Sequence, residues 1–356
     1  MAFLNRFQGV LLAFLLMVLL AGQVETLVTT QAVHQIDFWL VWLGCMVVLT
    51  LPILLLESAL AKRSKALPLQ ALPVLTRDAD ASTRWRSVGW LALGTTLLLA
   101  GALSSEVGSH INGLDTFVAF IPFVVIAVVA ALSCISKWLP LIGTLLVVVL
   151  VGLGVLHPAM TVWQGTHFAL IEWTGAVELA LVATGAGLGV YWQTALTQTD
   201  SKRYKILPIW IAQVVGGALV ALGLVGLSPD AVSNMVYGVA VLCGAAMLLS
   251  FARQQMIARG IPVIVTWVVL LASLAIWTLP IKTTLLTVAI ALAIIVPTIY
   301  AVFAGWKMKS SHLRKALDFN NEGLYNLWRV MVRLAIPLAA LIALVGVAQQ
   351  YVAWIQ

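Results

Sequence analysis

Runs of about twenty apolar residues recur along the whole of this chain, separated by short polar stretches, and a membrane-crossing helix needs about that length. The runs are 8–30, 38–60, 87–106, 116–135, 138–156, 169–192, 206–227, 232–252, 261–280, 284–305 and 329–349. They predict an all-α, polytopic membrane protein of about 11 transmembrane helices. It forms a single transmembrane domain, 1–356, with no linker or soluble domain. The longest connections, 61–86 and 306–328, are polar and basic. With 62% hydrophobic and 9% charged residues, against roughly 25% charged in soluble domains, the solvent of such a chain is lipid.

A net charge of +7 would suit a nucleic-acid ligand if it were gathered on one surface. Instead the Lys and Arg lie in the connections. With the N-terminus inside, alternation through eleven spans puts every basic residue but Lys282 on the inner side. An error in the span count would scramble that alternation, and the bias is the one that orients membrane proteins. The expected location is a plasma membrane, a bacterial inner membrane given the short loops. The N-terminus is cytoplasmic and the C-terminus outside. Arg6 followed by apolar residues to Ala21 is similar to a signal peptide, but apolar character resumes and no A-x-A site follows, so a retained span is expected. Cys45, Cys134 and Cys243 show no paired spacing and read as small buried apolar residues.

Two spans carry interruptions in corresponding places. The first contains Ala21-Gly22-Gln23-Val24-Glu25-Thr26, and the sixth Ala183-Thr184-Gly185-Ala186-Gly187-Leu188-Gly189. Each is the first helix of a set of five. Five is odd, so spans 1–5 (8–156) and 6–10 (169–305) have opposite topology and form an inverted repeat, with 329–349 as an extra helix. Glycine- or polar-broken spans at matching places point to a transporter's binding site. The competing reading is that these glycines merely let neighbouring helices approach.

Several stretches resemble the neurotransmitter:sodium symporter family. Pro52-Ile53-Leu54-Leu55-Leu56-Glu57-Ser58-Ala59-Leu60-Ala61 is similar to that family's second helix, "P-L-x-x-L-E-x-A-L-G". Arg84-Trp85-Arg86-Ser87-Val88-Gly89-Trp90 resembles the start of its third. The glycines of span six resemble its unwound S-x-G-x-G segment, and Trp328 to Pro337 its "W-x-x-x-x-R-x-x-x-P". The resemblance implies the five-plus-five inverted-repeat fold and transport of amino acids or related compounds. Departures are equally plain. Gly22 to Thr29 lacks the family's Asn, Trp, Arg and Pro of helix one. Leu248-Leu249 stand where span eight would offer hydroxyls to sodium, and no tyrosine matches at Gly101 to Ser104. The sodium chemistry is therefore expected to be altered or lost.

Substrate-binding groups are expected from Gly22, Gln23, Thr26, Ser104, Ala183, Thr184, Gly185, Gly187 and Ser250, the polar ones of which could equally bond a neighbouring helix. Glu25 and Glu178 are ionisable residues inside apolar runs, which is costly and usually functional. Both are candidates for ion coupling, by a proton in place of sodium. The alternatives are a solvated Glu25 at the outer interface and a hydrogen-bonded Glu178 near the outer vestibule. Glu57 is expected to cap a helix or pair with a cytoplasmic Lys or Arg. Trp277, among other aromatics near span ends, reads as an interface anchor. No metal site and no cofactor beyond a coupling sodium ion or proton is expected, and no nucleophile elbow, P-loop or dinucleotide fingerprint suggests an enzyme.

The expected function is an ion-coupled secondary transporter (a symporter-like protein) of a small solute. Its partners are that solute and the bilayer, with a homodimer or partner membrane protein also compatible. The alternative is a transport-inactive homologue acting as a membrane sensor or partner subunit.

Overall fold

The computed structural model describes residues 2–25, 35–110, 120–156, 163–165, 170–192, 196, 206–225, 231–317, 319 and 321–355. Helix lies within each expected span. In the first half they are α1 (Ala2–Glu25), α2 (Ile36–Cys45) continuing into α3 (Leu51–Ser64), then α4 (Pro68–Asp78), α5 (Ser87–His110), α6 (Ile121–Leu132) and α7 (Leu139–Leu156). In the second half they are α8 (Leu170–Glu178), α9 (Ile206–Ala221), α10 (Ala231–Ala258), α11 (Val263–Ala275) and α12 (Lys282–Val302). The chain then forms α13 (Ser310–Leu317), α14 (Glu322–Val330) and α15 (Ile336–Ile355). Among the described residues six segments are long and apolar enough to cross a membrane by length and composition, and four shorter apolar helices accompany them.

α1 is the central helix. Leu15, Leu16, Leu19 and Leu20 are all fully buried, so it is enclosed all round rather than on one stripe. It packs against α9, α7 and the middle of span six, while α5 packs along α10. Span one thus meets span six, and span three meets span eight, the pairs that a five-plus-five repeat relates. On the outside, α6, α7, α11 and α15 display Phe123, Val148, Ile264 and Leu341, as helices facing lipid must. Close packing in lipid relies on small residues. On α9, Gly216 lies against Met17 of α1, and Gly217 leaves room for the Trp42 ring.

The two basic connections are more ordered than their polar sequences predict. α4 buries Leu69, Leu72 and Leu75, and Arg63 pairs with Asp78 at 2.9 Å. Pro68 stands in its first turn, where the missing N–H costs no helical bond. α13 occupies the second connection. Among the described residues four π-turns interrupt the spans: Met46–Thr50, Leu179–Ala183, Phe303–Lys307 and Met331–Ala335. Such turns are rare and gather at functional sites. Here they adjoin one another, Met46–Thr50 touching Leu179–Ala183 and Met331–Ala335, which in turn touches Phe303–Lys307.

Three expectations need correction. Cys134 is exposed, not buried, and receives a hydrogen bond from Arg253 at 3.3 Å. Trp277 is buried against Gly101 of α5, so it packs two helices rather than marking an interface. The third concerns the first span. Residues 21–25 stay helical, since one glycine costs a helix only about 1 kcal/mol and Gln and Glu are good helix formers. Thr26 lies outside the described residues, as do the side chains of Gln23 and Glu25.

Candidate solute site at the broken sixth span

Span six does break where its glycines predict. After α8 and the π-turn Leu179–Ala183, the backbone turns left-handed three times, at Gly185 (φ 62°), Gly187 (φ 86°) and Gly189 (φ 80°). A residue with a Cβ pays about 1–2 kcal/mol for each such conformation. The space is closed as well: a Cβ on Gly187 would collide with Pro297 of α12, and one on Gly189 with Pro68 of α4. Pro297 lies inside its helix, where proline normally costs a backbone bond. Its ring instead forms the surface on which the broken span rests.

An unwound helix exposes N–H and C=O groups that must be satisfied internally. Glu57 answers one of the donors. Its Oε1 accepts from the Gly189 N–H at 2.6 Å. The carboxylate is buried, so of the two expected roles, capping or pairing with a cytoplasmic base, it takes the capping one, at the break in span six. The acceptors are met from the other side. The Thr184 carbonyl receives the Tyr191 hydroxyl at 2.6 Å and Gln213 Nε2 at 3.0 Å, and Gln213 also reaches Tyr191 at 3.1 Å. Thr50, in the π-turn of span two, donates to the Ala180 carbonyl at 2.8 Å. Trp192 and Tyr300 close the far side, ring centroids 6.2 Å apart.

The expected solute-binding residues divide. Ala183, Thr184, Gly185 and Gly187 lie in the break, where Thr184 donates its hydroxyl to Ala180 and Gly185 faces Leu16 of α1. Gly22 lies elsewhere, beside the Tyr237 hydroxyl of α10. Ser104 is buried and donates back to Gly101. Ser250 is buried beside Gln254. It lies six residues beyond Gly244, roughly 9 Å along the helix, and Gly244 is where α10 meets Leu19 of α1 and Leu103 of α5. Leucines therefore fill the place where spans one, three and eight converge, and Leu248 and Leu249 are buried too.

Glu178 closes α8, one residue before the π-turn. It is fully buried, and neither carboxyl oxygen has a hydrogen-bond partner among the described residues. Among the described residues no group of three or more His, Cys, Asp or Glu could hold a metal.

Glu57, Tyr191, Gln213 and Pro297 were missed as a set, although Glu57 stood in the most specific motif. Their signal was present as intramembrane polar residues and an intrahelical proline, but nothing local ties Glu57 to an amide 132 residues away.

No family model matches the sequence, and no curated protein sequence matches it. Among solved structures, the crystal structure of MhsT in complex with L-phenylalanine matches with a TM-score of 0.65 and 17% identity. The match covers 96% of this chain and 98% of that one. MhsT is a transporter of the neurotransmitter:sodium symporter family; at this identity the likeness shows that this chain shares its polytopic all-helical fold.

Proposed function

We propose that the chain is a secondary active transporter of a small solute, an amino acid or related compound, working by alternating access around the broken sixth span. The observation that carries this is the break itself: three left-handed glycines, the last of which has its amide held by the buried side chain of Glu57 from span two. Unwound backbone inside a bundle is tolerated where it is buried in protein or lines a cavity, and it offers directed carbonyls and amides to a solute and its ion. The fold shared with MhsT, solved with L-phenylalanine, supports the class of solute.

Coupling is to a proton carried by Glu178. A charged carboxyl without a partner is costly inside a membrane and marks an ion pathway there. The leucines at the convergence of spans one, three and eight speak against a family-type sodium site. The protein lies in a bacterial inner membrane with its N-terminus inside. One bundle of helices rocks against the scaffold formed by the others; the repeats are 8–156 and 169–305, and 329–349 is an accessory helix.

Those same leucines favour a second reading, a transport-inactive sensor or partner subunit. Counterflow separates the two. Proteoliposomes preloaded with unlabelled amino acids should accumulate labelled ones, and liposomes carrying Gly189→Ala should not. Binding without exchange would decide for the sensor.

A further inference from the structure

We propose that the notch where the π-turn of span ten meets the start of span eleven binds an anionic phosphate group, supplied in the membrane by the headgroup of an acidic phospholipid. The site is separate from the broken sixth span and does not depend on transport. It is a shallow, open notch lined by Gly305, Tyr325, Trp328, Arg329, Val332 and Arg333 among others.

Its two arginines stand one helical turn apart, so they share a face. Arg333 is pinned: its Nε donates to the Gly305 carbonyl, and its guanidinium sits over the Trp306 ring, 5.5 Å from the centroid. Gly305 makes this possible, because a Cβ there would come within 2.8 Å of Arg333 Cγ. Arg329 carries a buried Nε with no hydrogen-bond partner among the described residues. The acid on the same helix, Glu322, already holds Arg314 at 3.0 Å. Neither Arg329 nor Arg333 is in an ion pair with a carboxylate among the described residues.

Like charges one turn apart repel, and a buried donor without an acceptor costs about 1–3 kcal/mol. A phosphate relieves both at once, because guanidinium forks match its oxygens. The surroundings favour lipid as its source. Trp306, Leu324, Leu327 and Val330 are all exposed around the notch. A tryptophan and a rim of aliphatic side chains, beside a basic connection, suit the level where acyl chains give way to headgroups.

The test is lipid retention by the full-length protein, purified from phosphatidylcholine nanodiscs doped with phosphatidylglycerol and read by native mass spectrometry. Wild type should retain phosphatidylglycerol through delipidation. Arg329→Gln, which removes no hydrogen bond from Nε and so should fold, should weaken retention about fivefold, and Arg329→Gln with Arg333→Gln further. Lys307→Gln with Lys309→Gln removes as much charge outside the notch and should retain lipid nearly as wild type does. Equal loss in the lysine variant, or no retention by wild type, would overturn the site. Displacement of the lipid by millimolar inorganic phosphate would keep the phosphate site and overturn lipid as its source.

Discussion

The carboxylate of Glu57 on span two and the backbone amide of Gly189 on span six are joined by a hydrogen bond of 2.6 Å, both groups buried. One side chain thereby satisfies an amide that the break in the sixth span sets free. Glu57→Gln keeps an acceptor oxygen, whereas Glu57→Ala leaves the Gly189 amide facing an apolar gap. The alanine variant should lose about 1–3 kcal/mol, and the glutamine variant should fall between it and wild type. Melting temperatures in detergent give the order, and identical values for the two variants would remove Glu57 from this role.

The glycines of the break should respond to alanine in the opposite sense from an ordinary helical glycine. Gly187→Ala and Gly189→Ala meet both a left-handed backbone, at about 1–2 kcal/mol, and a proline ring. Each should lower stability and abolish exchange. Gly94 of α5 has open space where a Cβ would sit, so Gly94→Ala should stabilise by roughly 0.5–1 kcal/mol. Thermal denaturation of the three variants side by side checks the contrast.

If Glu178 carries the coupling proton, neutralising it should separate coupling from exchange. Glu178→Gln should still exchange solute between equal pools but lose accumulation driven by a proton gradient. Retained uphill uptake would take Glu178 out of the cycle.

Thr50 ties the π-turn of span two to that of span six through the Ala180 carbonyl, at 2.8 Å. Thr50→Val removes the donor at nearly constant volume and should cost about 1 kcal/mol. A melting temperature equal to wild type would show that the two π-turns are held by packing alone.

The span pattern was legible because apolar length is a local property, and so is the break at Gly185, Gly187 and Gly189, because alternate glycines have few other uses inside a helix. What holds the break was not legible. Glu57, Gln213 and Pro297 reach it from three other spans, and single-chain periodicity carries no information on which faces meet. The same limit misplaced Gly22, whose polar neighbours suggested an interruption while their helix-forming side chains kept α1 intact. It also left the basic connections as plain loops, although Leu69, Leu72 and Leu75 already sit at helical spacing. Trp277 looked interfacial by position and proved to be a packing residue, because Gly101 opposite it leaves room for an indole.

The central claim is ion-driven transport, and the most direct test is uptake of a radiolabelled amino-acid pool into proteoliposomes under an imposed proton gradient and, separately, an imposed sodium gradient. Accumulation under the proton gradient alone is the predicted result. Uptake that requires sodium would contradict the proton assignment, and no accumulation under either gradient by folded protein would contradict ion-driven transport of amino acids.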